Sequence, residues 1–335
     1  MWAIAISGNI PDIRKQKVLR EMKRRILYKD IVTHCYQRSA GEGLLFYCYS
    51  DYLVFFTGYC LYTKKYNVQV LSLCLMPDHV HDSLVVGKKE DLIRFKQAFN
   101  TWFSKVHKPV CHCEGPLLES PYGSAVKKGD KKARTNLVYI GNNPVERKLT
   151  AKAEDYRWNF LAYAQIIHPF SKELILREAS WSLRRAIKEV NAQYKSGKPM
   201  TYAQLQRLFK TLTPDEGQQL TDYIITKYNI IDYKAAIRFF DSYEDMLKAM
   251  HANTGSEYDI NEVFLGKSDA HYTKMTGIVK RLLNPTDIHD ILALPAIEKF
   301  KVFQMLRKNS TAMSEQIAKF LRMPIKKGPI DESAF

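Results

Sequence analysis

The chain has 335 residues, with 51 Lys and Arg against 35 Asp and Glu, a formal net charge of +16. Hydrophobic residues make up 46% and aromatic residues 12%, enough for a packed core without cross-links. Six cysteines, four of them alone in apolar runs, argue against a disulfide framework, and no apolar run approaches the roughly 18 residues of a membrane-spanning helix.

The first residues, "MWAIAISGNIPDIRKQK", have a short apolar start with no basic residue before it, so no signal peptide is expected and a reducing cytoplasm is the expected compartment. A basic arm follows, "RKQKVLREMKRR" at 14–25, with seven basic residues against Glu21. A chain this basic is expected to meet a polyanion, of which nucleic acid is the commonest. Residues 1–27 are taken as that arm.

From residue 28 the pattern alternates. "KDIVTHCYQ" (29–37) is β-branched and aromatic and predicts a strand. An apolar stripe over 49–66 predicts a helix. "NVQVLSLCL" (67–75) and "HVHDSLVV" (79–86) predict two more strands, and 88–108 predicts a helix carrying Leu92, Phe95, Phe99, Trp102, Phe103 and Val106 on one side. "RTNLVYIGNN" (134–143) predicts a helix ending at Pro144, because the residue before proline avoids the helical region. The order implies an α+β fold, an antiparallel sheet with helices on one face. Beyond residue 168 the pattern is mostly helical. Segments 177–197, 201–212, 215–229, 232–253, 297–309 and 314–323 read as helices, several opened by Ser, Thr or Asp. The expected organisation is an α+β domain at 28–168, a helical domain at 169–325 and a loose tail at 326–335.

At the start of the third predicted strand, His79 and His81 flank one valine. Residues two apart in a strand share a face, about 6.5 to 7 Å apart, so the two imidazoles face one way and can share a divalent ion. The plain alternative is two histidines satisfied by hydrogen bonds on a sheet. Tyr139 and Asn143 are four apart and share a helical face. An amide oxygen suits Mg²⁺ or Mn²⁺, and a phenol becomes a useful nucleophile where a metal polarises the group beside it. Read alone, Tyr139 is also a candidate core aromatic and Asn143 a candidate helix cap.

Taken together, "VLSLCLMPDHVH", a long helix, "YIGNNPVERKL" and "EDYRWNFLAY" resemble the single-tyrosine HUH transposases, in particular the REP-associated tyrosine transposases of the insertion-sequence-200-like group, over residues 28–165. The resemblance implies a ferredoxin-like sheet of the HUH nuclease type. It implies a divalent ion, Mg²⁺ or Mn²⁺, held by His79, His81 and Asn143. It implies Tyr139 as the nucleophile that nicks and rejoins single-stranded or hairpin DNA through a covalent 5′-phosphotyrosine. A second copy of the chain is a further expected partner. Lys127, Lys128, Lys131, Lys132, Arg134, Arg147, Lys148 and Arg38 are the candidate phosphate contacts, with a solvated basic loop as the plain alternative for the first five. A domesticated nickase in repeat processing or defence, and a non-catalytic nucleic-acid-binding module, are the competing readings. Asp82 departs from the resemblance: a carboxylate stands where an apolar residue is expected, on the face opposite the histidines.

Other motifs carry less. "HKPVCHC" (107–113) groups His107, Cys111, His112 and Cys113, but lacks the second ligand pair of a structural zinc site. No GK[ST] phosphate loop or G-x-S-x-G elbow is present. "EDYRWNF" offers Tyr156, Arg157 and Trp158 as a base-stacking surface, though core closure is the reading adopted. The stretch 297–324 resembles the first two helices of a helix-turn-helix. Simple packing is adopted there because Pro324 and Pro329 leave no room for a third helix. A DNA-reading helix, were it one, would be 314–322, with Glu315, Gln316 and Lys319 exposed.

Overall fold

A computed structural model describes residues 27–41, 43–252 and 268–324. The basic arm at 14–25, the loose tail and most of the polar stretch 251–259 lie outside the described residues.

The strands are β1 (Thr33–Arg38), β2 (Val68–Met76), β3 (His79–Val86) and β4 (Gly123–Val126). Helix α1 (Tyr49–Lys65) joins β1 to β2, and α2 (Lys89–His107) joins β3 to β4. The strands form one antiparallel sheet in the order β2-β3-β1-β4. A two-residue loop, Pro77–Asp78, makes the β2–β3 hairpin and pairs Met76 with His79. The predicted strand over 29–37 starts later, at Thr33. β4 escapes prediction because Gly-Ser-Ala-Val has little β-branched or aromatic content.

Helices lie on both faces of the sheet rather than on one, which corrects the expectation. Asp82 and Val80 face α1 and α2, whereas His79, His81 and Ser83 face α3 (Asp130–Glu146). β3 is accordingly buried on both sides. α3 also runs two residues past Pro144 instead of ending before it. Pro144 falls in the last turn, and it is buried together with Asn143, so packing overrides the local preference.

Between α1 and α2, Phe55 meets Phe99 and Phe103 edge-on at 4.9 Å between centroids. The helices approach so closely that a methyl group on Gly58 would lie 2.0 Å from the Trp102 ring. Below them, Tyr59 donates to Asp82 at 2.9 Å and Lys96 forms an ion pair with the same carboxylate. The carboxylate that breaks the expected pattern is therefore compensated inside the core.

After three short 3₁₀ turns over 153–164 come α4 (Trp181–Lys195), α5 (Tyr202–Phe209), α6 (Pro214–Tyr228), α7 (Tyr233–Ile237), α8 (Tyr243–His251), α9 (Ala270–Leu283), α10 (Ala296–Asn309) and α11 (Ser314–Phe320). Segment 232–253, read as one helix, breaks into α7 and α8 where Ser242 caps the second by accepting from the Asp245 amide. α9 escapes prediction altogether. The apolar interior crosses residue 169: one cluster runs from Cys35 to Met323. Asp232 donates its amide to the Val70 carbonyl at 2.8 Å, which covers the open edge of β2. Tyr156 and Trp158 close this interior, Trp158 stacking on Tyr52 at 4.3 Å. All six cysteines are free. Among the described residues, no helix is long and apolar enough to cross a membrane.

Candidate functional site

Strand period and register set one row of side chains on the α3 face of the sheet. β3 supplies His79, His81 and Ser83; β1 supplies His34, Tyr36 and Arg38, paired respectively with Ser83, His81 and His79. α3 lies over this row, and its i, i+4 spacing brings Tyr139 and Asn143 down onto the histidines.

The contacts converge on one amide. His79 Nε2 lies 3.3 Å from Asn143 Oδ1, and Asn143 Nδ2 lies 3.4 Å from His81 Nε2. The Tyr139 ring stands edge-on to His81 with centroids 5.4 Å apart. The four residues expected to act together are thus brought together, with Tyr139 4% exposed and the other three less.

Each histidine has an outer partner. His79 Nδ1 lies 2.5 Å from Asp78 Oδ1, and Asp78 in turn pairs with Lys319 of α11. His81 Nδ1 lies 3.0 Å from His34 Nε2. Hydrogen bonds of this kind fix which ring nitrogen carries the proton and turn the other toward the centre. His79 Nδ1 is turned to Asp78, so its Nε2 faces the Asn143 carbonyl oxygen across 3.3 Å, and both are atoms that can ligate a cation. The donor set of two imidazoles and an amide oxygen therefore fits a divalent ion.

Electrostatics follow burial. Burial holds His34 well below the ordinary histidine range, helped by the charges of His81, Lys127 and Lys96. Burial would raise the Asp78 carboxyl, but His79 and Lys319 hold it well below the usual range. Burial and the Asp78 charge push Asp269, just before α9, up to about 6.

His34 and Asp78 were missed in the sequence. The signals available were weak: His34 is two residues from Tyr36 in a predicted strand, hence on one face with it, and Asp78 abuts His79. Lys319, 241 residues from Asp78, left none.

The candidate phosphate contacts divide. Lys128, Lys131, Lys132 and Arg134 are exposed around the start of α3, with Lys128 over the Tyr28 ring at 4.1 Å and Arg134 over Phe240 at 5.0 Å. Lys127 is buried at the end of β4, its amide bound to the Val32 carbonyl, so the solvated-loop alternative does not hold for it. Arg38 and Arg147 are half-buried and Lys148 is exposed. In α11, Gln316 is buried and donates to the Ser268 carbonyl at 2.9 Å. Only Glu315 of the three α11 residues is fully on the surface, as simple packing requires.

His107, Cys111 and Cys113 do not form a ligand set. His107 Nδ1 accepts from or donates to Tyr202 Oη at 2.6 Å, and both thiols lie against backbone carbonyls. Among the described residues, the group with metal-ligand spacing is Cys48, Asp51 and His289, whose ligand atoms lie within 4.8 Å of one another and could hold a metal ion. Its contacts also stand without one. His289 sits between two carboxylates, Nε2 at 3.1 Å from Asp51 and Nδ1 at 2.6 Å from Asp287. Burial would lower His289, but the Asp51 charge and the hydrogen bonds to Asp287 and Asp51 hold it up at about 10. Burial would raise Asp51, which His289 and then His107 hold down at about 2. This ion pair ties the start of α1 to the turn before α10.

No family model matches the chain, and no curated protein does. Among solved structures it is similar to a REP-associated tyrosine transposase bound to a REP hairpin, with 13% identity over 40% of this chain and 79% of that one and a TM-score of 0.36.

Proposed function

We propose that the chain is a metal-dependent single-stranded DNA endonuclease and strand-transferase, with Tyr139 as nucleophile and His79, His81 and Asn143 as the ligands of one Mg²⁺ or Mn²⁺ ion. One observation carries the reading: two imidazole Nε2 atoms, one amide and one phenol ring converge within a single buried row. The strand order β2-β3-β1-β4, built as β-α-β-β-α-β, supports a ferredoxin-like sheet of the HUH type. When bound, the ion would polarise the scissile phosphate and stabilise charge developing on its oxygens.

The chain's own groups do the rest. Tyr139 Oη forms a bond to phosphorus while the bond to the 3′ oxygen breaks. The phenol proton leaves, the 3′ oxygen gains one, and a 5′-phosphotyrosine and a 3′-hydroxyl result. Because the exchange conserves one phosphodiester bond, rejoining needs no nucleotide. Lys128, just before the helix that carries Tyr139, and Lys131, Lys132 and Arg134 on it, would hold the strand by its phosphates. The part from 28 to 168 would carry the chemistry and the helical part from 169 to 325 would support it, in the cytoplasm, at the nucleoid.

A second reading, a non-catalytic nucleic-acid-binding module, is favoured by the burial of Tyr139 at 4% exposure. One experiment separates the two. The chain is incubated with stem-loop oligonucleotides in Mg²⁺ or Mn²⁺, and denaturing gels are scanned for a covalent protein–DNA band. The nuclease gives a band that Tyr139→Phe abolishes while gel-shift binding persists. Binding without any band in the wild type leaves the module reading standing and removes the nuclease.

A further inference from the structure

The loop Pro77–Asp78, which delivers His79 to the site, is gripped from the C-terminal part of the chain along two routes. Lys319 of α11 pairs directly with Asp78, whose other oxygen holds His79 Nδ1 at 2.5 Å. Three residues on, Arg322 donates to the Leu44 carbonyl at 2.7 Å, and the amides of Leu45 and Phe46 donate to the Pro77 carbonyl at 2.8 and 3.0 Å. α11 is itself anchored: Gln316 donates to Ser268, and the Asp269 amide donates to the Arg147 carbonyl at 3.0 Å, just past the end of α3. Asp269 lies close enough to feel the charges of Asp78, His79, Arg147 and Lys319. Lys319, which pairs with Asp78, is one of two cations near these carboxylates, the other being Arg147.

We propose that Lys319 is a positioning residue for the ion site, acting through Asp78 on His79, so that the C-terminal helical layer sets how tightly the site holds its ion. The inference rests on the proposed role of His79, His81 and Asn143. Its physics is that of outer partners: a carboxylate bonded to one ring nitrogen fixes the ring's direction and tautomer, and losing such a partner commonly weakens metal binding about 10- to 100-fold. Lys319 stands one bond further out and is only partly buried, so its removal is expected to cost less. Without it Asp78 loses the contact that aims it, and the carboxylate turns toward solvent.

The test is Mn²⁺ binding to the full chain without DNA, followed by the electron paramagnetic resonance of free Mn²⁺. Lys319→Met is expected to weaken binding about fivefold and Lys319→Arg to restore it within about twofold, a partly buried charge pair contributing that much. Asp78→Ala is expected to weaken it about 10- to 100-fold, and the double variant no further, because Lys319 acts only through Asp78. Melting curves confirm that each variant is folded; a Lys319→Met chain that fails to fold is replaced by Lys319→Gln. Wild-type binding with an unchanged Lys319→Met dissociation constant overturns the inference, as does additivity with Asp78→Ala. A wild type that binds no Mn²⁺ overturns the ion site itself, and the inference with it.

Discussion

Replacing Asp51 by Asn probes the ion pair between α1 and the turn before α10. Asn keeps the volume and an acceptor for the Tyr47 and Cys48 amides, which Asp51 Oδ2 now serves at 2.7 and 3.1 Å, but removes the charge facing His289. His289 moves from 6.5 to about 10 in the folded chain. At about 1.4 kcal/mol per unit that is at most roughly 5 kcal/mol, shared between Asp51 and Asp287. Breaking a buried pair typically costs about 3–5 kcal/mol, so a loss of about 3 kcal/mol is expected. For a chain of this size that is a fall of roughly 4–6 °C in melting temperature. The pH dependence has a definite sign. His289 is raised, so its stabilisation is complete below about 6.5 and fades as pH climbs toward about 10. Asp51 is lowered, so its share is complete above 3.8 and is lost as pH falls through about 2. His107, which burial lowers to about 4 against the pull of Asp51, adds a decline on the acid side as pH falls below 6.5. The wild type should therefore be most stable near pH 6.5. The gap to Asp51→Asn should be fully open from pH 5 to 6.5 and shrink by pH 10. Differential scanning calorimetry from pH 5 to 10 measures this. A gap that stays constant across the range would refute the reasoning, and so would one below about 1 °C.

Two further predictions concern packing. Lys96→Met leaves the Asp82 carboxyl group buried beside Tyr59 without its cation, and should cost about 3–5 kcal/mol by chemical denaturation. Adding Asp82→Leu should recover most of the loss, because an apolar pair can replace a buried ion pair at little cost; a double variant as unstable as the single would show that the pair itself is needed. Gly123→Ala puts a methyl group 1.9 Å from the Tyr36 ring and should cost about 1–3 kcal/mol, with a changed Tyr36 ring environment by NMR, whereas a neutral result would mean that the ring has room to move.

Local pattern carried the elements but not the pairings. Period 2 put His79 and His81 on one face, and period 3.6 put Tyr139 and Asn143 on another, because each pair lies within one element. That the two faces meet depends on β3 being central and α3 crossing it, which no window of sequence contains. His34 joins His81 only through the β1–β3 register, Asp51 meets His289 across 238 residues, and Lys319 meets Asp78 across 241. The misread helix ends have a similar origin: Pro144 ends a helix by its own preference, yet here it is buried with Asn143 in the last turn of α3. The residue that looked out of place, Asp82, gave a correct clue to the side it faces and none to Lys96, its partner.

Burial sets a condition on any chemistry at the row. His34, His79, His81, Asn143 and Tyr139 are each no more than 4% exposed, so a DNA backbone cannot reach them in this arrangement. Either α3 lifts from the sheet or the layer over the Pro77–Asp78 loop moves. α3 is held along its length: Asn136 contacts Ser83, Asn142 donates to the Met250 carbonyl of α8, and Asn159 donates to the Gly141 carbonyl at 3.2 Å. Lifting it exposes Leu137 and Ile140, and burying each such side chain is worth roughly 1.5–3 kcal/mol. The α11 side carries polar contacts, Lys319 with Asp78 and Arg322 with Leu44, whose net contributions are about 1 kcal/mol each, above a buried apolar face of Ile317, Phe320 and Leu321. Those contacts break at lower cost and exchange for water or for phosphate oxygens, to which lysine and arginine bind well. The less costly rearrangement is therefore an exchange of these polar contacts rather than the lifting of either helix from its buried apolar face, and the lysine that aims Asp78 takes part in it.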